Sequence, residues 1–257
     1  MIADTPAELI LKALGITDPA EIDLEAIAWD RGARIRYRPL DGCEARIVGT
    51  NDRAIITVNS RSPRRRRRFS VAHELGHWHY HRARTLMCSA DDIGQAAAGD
   101  FSPERVADRF ASRLLMPEYL FQPIARGYPK LDFRTIREIA DKFDTSVTAT
   151  AIRLVEGNYL LACLACHGRE GRKWFTRSPE VPARWFPSRD LSADSFAFEV
   201  LFRGGEEQAF PRKVDADAWF DRRDADQYEV REQTIKTGDD EILSIILIED
   251  EDMLREW

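Results

Sequence analysis

The sequence predicts an α+β protein, with helices and a small antiparallel sheet first and a strand-rich region after them. Apolar residues recur at helical spacing in several segments of residues 6–156, whereas short β-type runs prevail from residue 159 onward. Charge changes along the chain as well. Residues 190–257 hold 20 Asp and Glu against 8 Lys and Arg, a net charge of −12, and the total of −6 therefore leaves +6 for the residues before them. We expect two electrically different halves.

The composition is that of a globular protein. Of the 257 residues, 44% are hydrophobic and 32% are charged, which excludes collagen-like, low-complexity and disordered chains. No apolar run approaches the ~20 residues that cross a bilayer, and the first residues carry acidic side chains where a signal peptide carries basic ones. Four cysteines are too few for a disulfide scaffold. We expect a cytoplasmic protein with no membrane partner.

The chain begins with two short helices and three short strands. Asp23 is the predicted N-cap of the second helix, because its carboxylate can accept the free N–H groups of the first turn. Gly49, Asn51 and Asp52 form a turn between the last two strands, which favours an antiparallel sheet. The predicted helices cover 6–15 and 23–31, and the predicted strands cover 33–38, 44–49 and 54–59.

Two longer helices follow, and each opens on a serine and a proline. Ser62 as N-cap and Pro63 at the first helical position predict a helix over 62–81. Ser102 and Pro103 predict a second helix that ends before Pro117. A loop rich in glycine and alanine is expected between them, over 86–100.

The first long helix carries the motif H-E-L-G-H, with His73, Glu74 and His77. Residues four apart face the same way on a helix, so both imidazoles can reach one Zn²⁺. The glutamate then lies beside the metal and can accept a proton from water. This is the zincin motif, and the alternative is a pair of surface histidines near a helix end.

A catalytic zinc needs a third protein ligand, and the second long helix offers one. We assign Glu104 as that ligand and Asp108, one turn on, as the acceptor for the outer N–H of a ligand histidine. Alanines and Gly76 allow the two helices to pack closely. The alternatives are an acid favoured by the helix dipole for Glu104 and a solvated residue for Asp108. The predicted contact face comprises Glu104, Ala107, Asp108, Ala111 and Leu115.

These two helices resemble the signature helices of the ImmA/IrrE family of zinc metallopeptidases, a gluzincin-like group. The matching segments are R-F-S-V-A-H-E-L-G-H at 68–77 and E-R-V-A-D-R-F-A-S-R-L-L-M-P at 104–117, and the resemblance covers about residues 5–156. It implies a zincin-like catalytic domain, with His73, His77 and Glu104 as metal ligands and Glu74 as general base. We expect one Zn²⁺ per chain, or another divalent ion such as Mn²⁺.

The resemblance also implies a protein substrate, since members of this family cleave a helix-turn-helix repressor, here of the XRE type, and thereby derepress genes. Such genes would belong to stress response, mobile elements or toxin–antitoxin control. Two further hypotheses about the function stay open. One is a DNA-binding regulator with a structural metal site, and the other is a non-proteolytic, antitoxin-like binding protein. The combination of Glu74 with three ligands favours the peptidase, because a structural zinc usually fills its fourth position with Cys or His.

Five consecutive arginines, Arg64–Arg68, could neutralise phosphates. On a helix they point all round the axis, so we favour a solvated first turn, with docking to an acidic partner surface as a further alternative. The residue that stabilises the oxyanion stays open among four candidates. These candidates are Tyr80, His81, Arg105 and Tyr119.

Residues 133–156 have the layout of a helix-turn-helix, with helices over 133–143 and 146–156. Asp144 and Thr145 occupy the turn, and Ser146 is the predicted cap of the second helix. That helix carries Arg153 as its one cation, which is poor for reading bases. We therefore favour a hairpin that recognises a protein, and direct nucleic-acid binding is not favoured. The predicted inward residues are Ile136, Ile139, Ala140 and Phe143.

The predicted domains are a zincin-like peptidase domain over 1–130, a helical hairpin over 131–157 and an acidic β-rich domain over 158–257. The last could act as a sensor or select the substrate. Cys163, Cys166 and His167 spell C-x-x-C-H there, and we favour buried cysteines over a redox pair or a second metal site. The predicted strands cover 159–165, 172–176, 196–202, 228–235 and 242–248.

Overall fold

The computed structural model describes residues 3–80, 86–88 and 102–255. Its α+β chain divides into two compact units. Unit 1 comprises residues 1–124 with 140–146, and unit 2 comprises 125–139 with 147–257. The chain between 125 and 146 thus contributes to both units in turn, and the domain boundaries at 130 and 157 stay a prediction.

Unit 1 begins with the helices α1 (Pro6–Ala13) and α2 (Leu24–Asp30). Thr5 and Glu8 cap α1 reciprocally. Asp23 caps α2 as predicted, because its carboxylate accepts from the N–H groups of Glu25 at 2.9 Å and Ala26 at 3.2 Å. Both helix starts therefore follow from local sequence.

A four-stranded sheet follows, in the order β1-β3-β2-β4. Strand β2 pairs antiparallel with both neighbours, but β1 pairs parallel with β3, so the sheet is mixed and the predicted antiparallel sheet is wrong in this respect. The turn between β2 and β3 determines only that these two strands pair antiparallel. Strand β1 pairs with the other edge of β3 and runs in the same direction as β3. The strands are β1 (Ala33–Arg38), β2 (Ala45–Gly49), β3 (Ala54–Asn59) and β4 (Leu86–Cys88).

Strand β4 corrects the predicted loop at its start, since residues 86–88 pair with β2. The rest of that predicted loop lies outside the described residues.

The two long helices are α3 (Arg64–Tyr80) and α4 (Pro103–Leu115), and a further helix that was not predicted, α5 (Glu118–Arg126), follows them. Ser102 caps α4 as predicted, accepting from the N–H of Arg105 at 3.2 Å. Helix α3 begins two residues later than predicted, and the Ser62 hydroxyl donates to Glu44 at 2.6 Å.

The predicted hairpin is present as α6 (Phe133–Phe143) and α7 (Val147–Glu156). Its four predicted inward residues are at most 1% exposed. In the turn, Asp144 has a φ of 51°, in the left-handed region that usually takes glycine. Aspartate tolerates this conformation better than most residues, which explains a tight turn without glycine.

Unit 2 contains a five-stranded antiparallel sheet in the order β6-β5-β9-β8-β7. Two tryptophans, Trp185 and Trp219, lie in its core and are 1% exposed. The strands are β5 (Ala162–Gly168), β6 (Gly171–Arg177), β7 (Arg212–Asp215), β8 (Glu229–Gly238) and β9 (Glu241–Leu247), and a short helix α9 (Glu251–Leu254) follows. Strand β5 begins three residues later than predicted, and β7 was not predicted. No helix in the described ranges has the length and apolar character needed to span a membrane.

The segment 196–202, predicted as a strand, is instead the helix α8 (Phe196–Phe202). Ser195 caps it by accepting from the N–H of Phe198 at 3.2 Å. The buried carboxylate of Glu232 accepts from the first two helical N–H groups, at 3.1 Å from Phe196 and 2.5 Å from Ala197. Glu232 lies on β8, far along the chain, so local periodicity could not reveal this helix.

Candidate metal centre

Helices α3 and α4 bring the three predicted ligand side chains together. The two Nε2 atoms of His73 and His77 lie 3.0 Å apart. Glu104 Oε2 lies 3.1 Å from Nε2 of His73 and 3.3 Å from Nε2 of His77. Both histidines are buried, and the Glu104 side chain is 31% exposed. The ligand atoms of all three lie within 4.8 Å of one another, close enough to surround one ion.

The close approach of α3 and α4 depends on Gly76. A Cβ atom placed there would lie 3.0 Å from Cα and 3.2 Å from the carbonyl oxygen of Ala107, and 3.2 Å from Cβ of Phe110. Ala107 is fully buried in this contact. The small side chains therefore allow Glu104 of α4 to reach the histidines of α3, in agreement with the packing that the sequence predicts.

Asp108 lies against the far side of His73. Its Oδ1 is 2.8 Å from His73 Nδ1, and its side chain is 20% exposed, so it is not a solvated helix residue. With the proton on Nδ1 donated to this carboxylate, Nε2 presents its lone pair toward Glu104. Asp108 thus orients the imidazole of this candidate ligand.

The pKa values of His73 and Glu104 indicate that the site favours positive charge. Burial lowers the pKa of His73, but its hydrogen bonds to Asp108 and Glu104 outweigh this and raise the pKa to about 9. The hydrogen bond to His73 lowers the pKa of Glu104 to about 2. A carboxylate that stays ionised beside two imidazoles is suited to a divalent cation.

Glu74 directly follows His73 on α3 and is fully buried. Its charge helps to raise the pKa of His73, which shows that the two groups interact electrostatically. Two imidazoles and one carboxylate are the donor set of many catalytic zinc sites, in which the fourth position belongs to water. The residues present therefore fit a divalent metal ion, with a carboxylate on the same helix available as a base.

The structure shows the surroundings of three of the four candidates for oxyanion stabilisation. The Tyr119 hydroxyl donates to the Ile16 carbonyl at 2.8 Å, so its proton is engaged elsewhere. The ring of Tyr80 lies edge-on to the rings of His79 and Phe110, and Tyr80 is 43% exposed. Arg105 occupies the first turn of α4, next to Glu104. His81 lies outside the described residues.

The arginine run is not simply solvated, which corrects the expectation from the sequence. Arg64 and Arg68 lie 2.8 Å and 3.3 Å from Asp144 Oδ2, and Arg65 pairs with Asp141. This turn of the hairpin belongs to unit 1. Most of the run therefore binds an acidic turn of its own chain, and Arg66 and Arg67 lie near Glu44 and over the Tyr37 ring.

The cysteines of the C-x-x-C-H segment lie on β5 and are buried, as favoured from the sequence. Cys163 is 0% exposed, Cys166 2% and His167 0%. Burial raises the pKa of both thiols to about 12, which leaves them protonated and unreactive. Within the described part of the chain, these residues do not join a group of three metal-binding side chains.

Comparison with known proteins agrees with this geometry. The fold is similar to that of a Mycobacterium tuberculosis transcriptional regulator, with a TM-score of 0.61 and 14% sequence identity over 94% of this chain and 74% of the other. No curated protein sequence matches the chain. Residues 28–155, which contain all three candidate ligands, match the model of the IrrE N-terminal-like domain, Peptidase_M78. Through these residues the chain belongs to the IrrE N-terminal-like domain family.

Proposed function

We propose that this protein is a zinc-dependent endopeptidase with a zincin-like fold, and that it cleaves a regulatory protein of the cytoplasm. The observation that carries the proposal is the convergence of His73, His77 and Glu104 beside a buried Glu74. A purely structural site would have no use for a carboxylate base on the ligand helix, and it would usually complete its ligand set with Cys or His. Membership in a peptidase family supports the same conclusion.

The chain's own residues account for the proton transfers. When bound, a zinc ion polarises the peptide carbonyl and lowers the pKa of water. Glu74 accepts the proton of the attacking water and then donates it to the departing amine nitrogen. Asp108 holds His73 in the ligand tautomer through the 2.8 Å contact at Nδ1. Burial of both histidines and of Glu74 strengthens these electrostatic interactions.

The proposed substrate is a helix-turn-helix repressor of the XRE type, whose cleavage derepresses its genes. Family membership supports it, and so does the fold likeness to a protein described as a transcriptional regulator. Stress-response, mobile-element or toxin–antitoxin genes are the proposed targets. We further propose that the acidic β-rich region of unit 2 selects the substrate or senses a signal.

A DNA-binding regulator has less support. Arg153, the one cation of the would-be recognition helix, is 5% exposed, so its guanidinium is poorly placed to reach a base edge. Arg64, Arg65 and Arg68 are engaged by the Asp141–Asp144 turn. The cation of the would-be recognition helix is therefore buried, and three of the five arginines of the run already have carboxylate partners.

The test is a reaction between the purified zinc-loaded protein and the helix-turn-helix repressor encoded beside its gene. Gel analysis and mass spectrometry should show one defined cut, and a chelator should prevent it. His77→Ala should lose both the metal and the cleavage. Metal content unchanged by His77→Ala would contradict the ligand set, and an intact repressor after incubation with a metal-loaded protein would contradict the substrate.

A further inference from the structure

The four-stranded sheet of unit 1 has a buried face and an open face. Ala45, Ile47, Ile56 and Val58 are at most 3% exposed, and α3 packs against the strands that carry them. Alternate residues point to the other face. By strand register, that face presents Arg34, Arg36 and Arg38 of β1, Ile55, Thr57 and Asn59 of β3, and Arg46 and Val48 of β2.

The four arginines of this open face, Arg34, Arg36, Arg38 and Arg46, are all exposed, and we call it the arginine face. No acidic residue occupies any of its positions. Within the described part of the chain, Arg36, Arg38 and Arg46 make no ion pair, and Arg34 lies over the Trp29 ring at 4.8 Å. This contrasts with Arg64, Arg65 and Arg68 of α3, which have carboxylate partners.

The register places these charges in a regular array. Arg36 pairs with Thr57, and Thr57 pairs with Arg46, so the two guanidinium groups flank one threonine across three strands. Neighbouring strands lie about 4.8 Å apart, and alternate residues along β1 lie about 6.7 Å apart. Four like charges so close together repel one another, and no carboxylate of this face offsets the repulsion. An external polyanion would offset this repulsion.

We propose that the arginine face binds the phosphate backbone of single-stranded nucleic acid. On β1, β2 and β3, the apolar side chains of this face are Val48 and the half-buried Ile55, whereas the core of a protein interface is depleted in charge and rich in apolar side chains. Interfaces with nucleic acid are more polar and more positively charged. The chemistry of this face therefore matches a phosphate backbone better than a protein partner.

Trp29 favours a single strand over a duplex. It is 64% exposed at the end of α2, and its ring lies under the guanidinium of Arg34 at the margin of the arginine face. Exposed aromatic rings beside a basic surface stack with unpaired bases, which a duplex keeps in its own stack. A flat sheet face also has no element that could enter a groove.

This surface is distinct from the metal centre. His73 and His77 lie on α3, which packs against the opposite face of the sheet. Nucleic acid on the arginine face would therefore leave the metal ligands accessible. The proposal is independent of the peptidase activity, and either can fail without the other.

Fluorescence anisotropy with the full chain tests it. The probes are labelled oligo-dT and oligo-U of about 25 nucleotides and a duplex of the same length, titrated from low to moderate salt. Wild type should bind both single strands with a strong salt dependence and bind the duplex more weakly. Preference for oligo-dT or oligo-U then distinguishes DNA from RNA as the source of the backbone.

The key variant replaces Arg36, Arg38 and Arg46 by Gln. The matched control makes the same charge change at Arg61, Arg64 and Arg203, which are exposed and already ion-paired. The arginine-face variant should weaken single-strand binding about tenfold or more and reduce the salt slope by roughly two. The control should stay within about twofold of wild type. Trp29→Ala should weaken single-strand binding and leave duplex binding unchanged.

Four outcomes would overturn the proposal. They are no oligonucleotide binding by wild type at low salt, equal losses in the two triple variants, tighter binding of the duplex, and competition by polyglutamate as effective as that by oligo-dT. The last would assign the face to an acidic protein instead. Thermal melting of each variant verifies that the fold is retained, and the single substitution Arg46→Gln replaces the triple variant if it melts early.

Discussion

Asp108 Oδ1 lies 2.8 Å from Nδ1 of His73 and thereby connects α4 to a candidate metal ligand on α3. Asp108→Asn keeps the size of the side chain but removes the charge that supports the ligand tautomer. We expect zinc affinity to fall about 10- to 100-fold, as is typical when such a partner is lost. Competition with a chromophoric chelator measures this.

The control for that substitution is Asp52→Asn, which removes the same charge from an exposed turn. It should leave zinc affinity unchanged. Equal affinities for wild type and Asp108→Asn would mean that Asp108 is a bystander, and that the tautomer of His73 is fixed by another group.

Gly76→Ala tests the close packing of α3 and α4. In a helix interior, alanine usually stabilises by about 1 kcal/mol relative to glycine. Here the new Cβ would lie 3.0 Å from Cα of Ala107. Because this is a backbone atom, no side-chain rotation can relieve the close contact. We expect the free energy of unfolding of the metal-free protein to fall by about 1–3 kcal/mol. Urea denaturation measures it, and a gain in stability would show that the helices have room to separate.

The convergence of the three candidate ligands could be predicted from the sequence because its signals are local. His73 and His77 share a helix face by their spacing, and capping by Ser102 fixes where α4 begins. Gly76 also indicated the side of α3 that meets α4.

Features that depend on distant partners could not be predicted. The Arg64–Arg68 run shows its charge in the sequence, but its partner Asp144 comes from a turn more than seventy residues later. The helix α8 depends in the same way on Glu232. The parallel pairing of β1 with β3 depends on which edge of the sheet is free. The residue pattern of a short strand does not indicate which edge it will join or in which direction.

His167 should make stability depend on pH. Burial lowers its pKa from 6.5 to about 4, so the folded protein keeps this imidazole neutral where the unfolded chain protonates it. The unfolded state therefore binds the extra proton between these two pKa values, and stability falls as the pH decreases from 6.5 to 4. The loss amounts to about 3 kcal/mol at most.

Urea denaturation across this pH window measures the effect, with His167→Gln as the comparison. The variant has no imidazole to protonate, so its stability should depend less steeply on pH. An identical pH dependence in the two proteins would mean that other groups cause the acid sensitivity.

The decisive experiment compares the rate of repressor cleavage by Glu74→Gln with that of wild type at equal zinc content. The substitution removes the proposed base and keeps the shape of a fully buried side chain. We expect one zinc per chain in both proteins and a cleavage rate that is lower by about 100-fold or more in the variant. Cleavage at the wild-type rate by zinc-loaded Glu74→Gln would contradict this expectation.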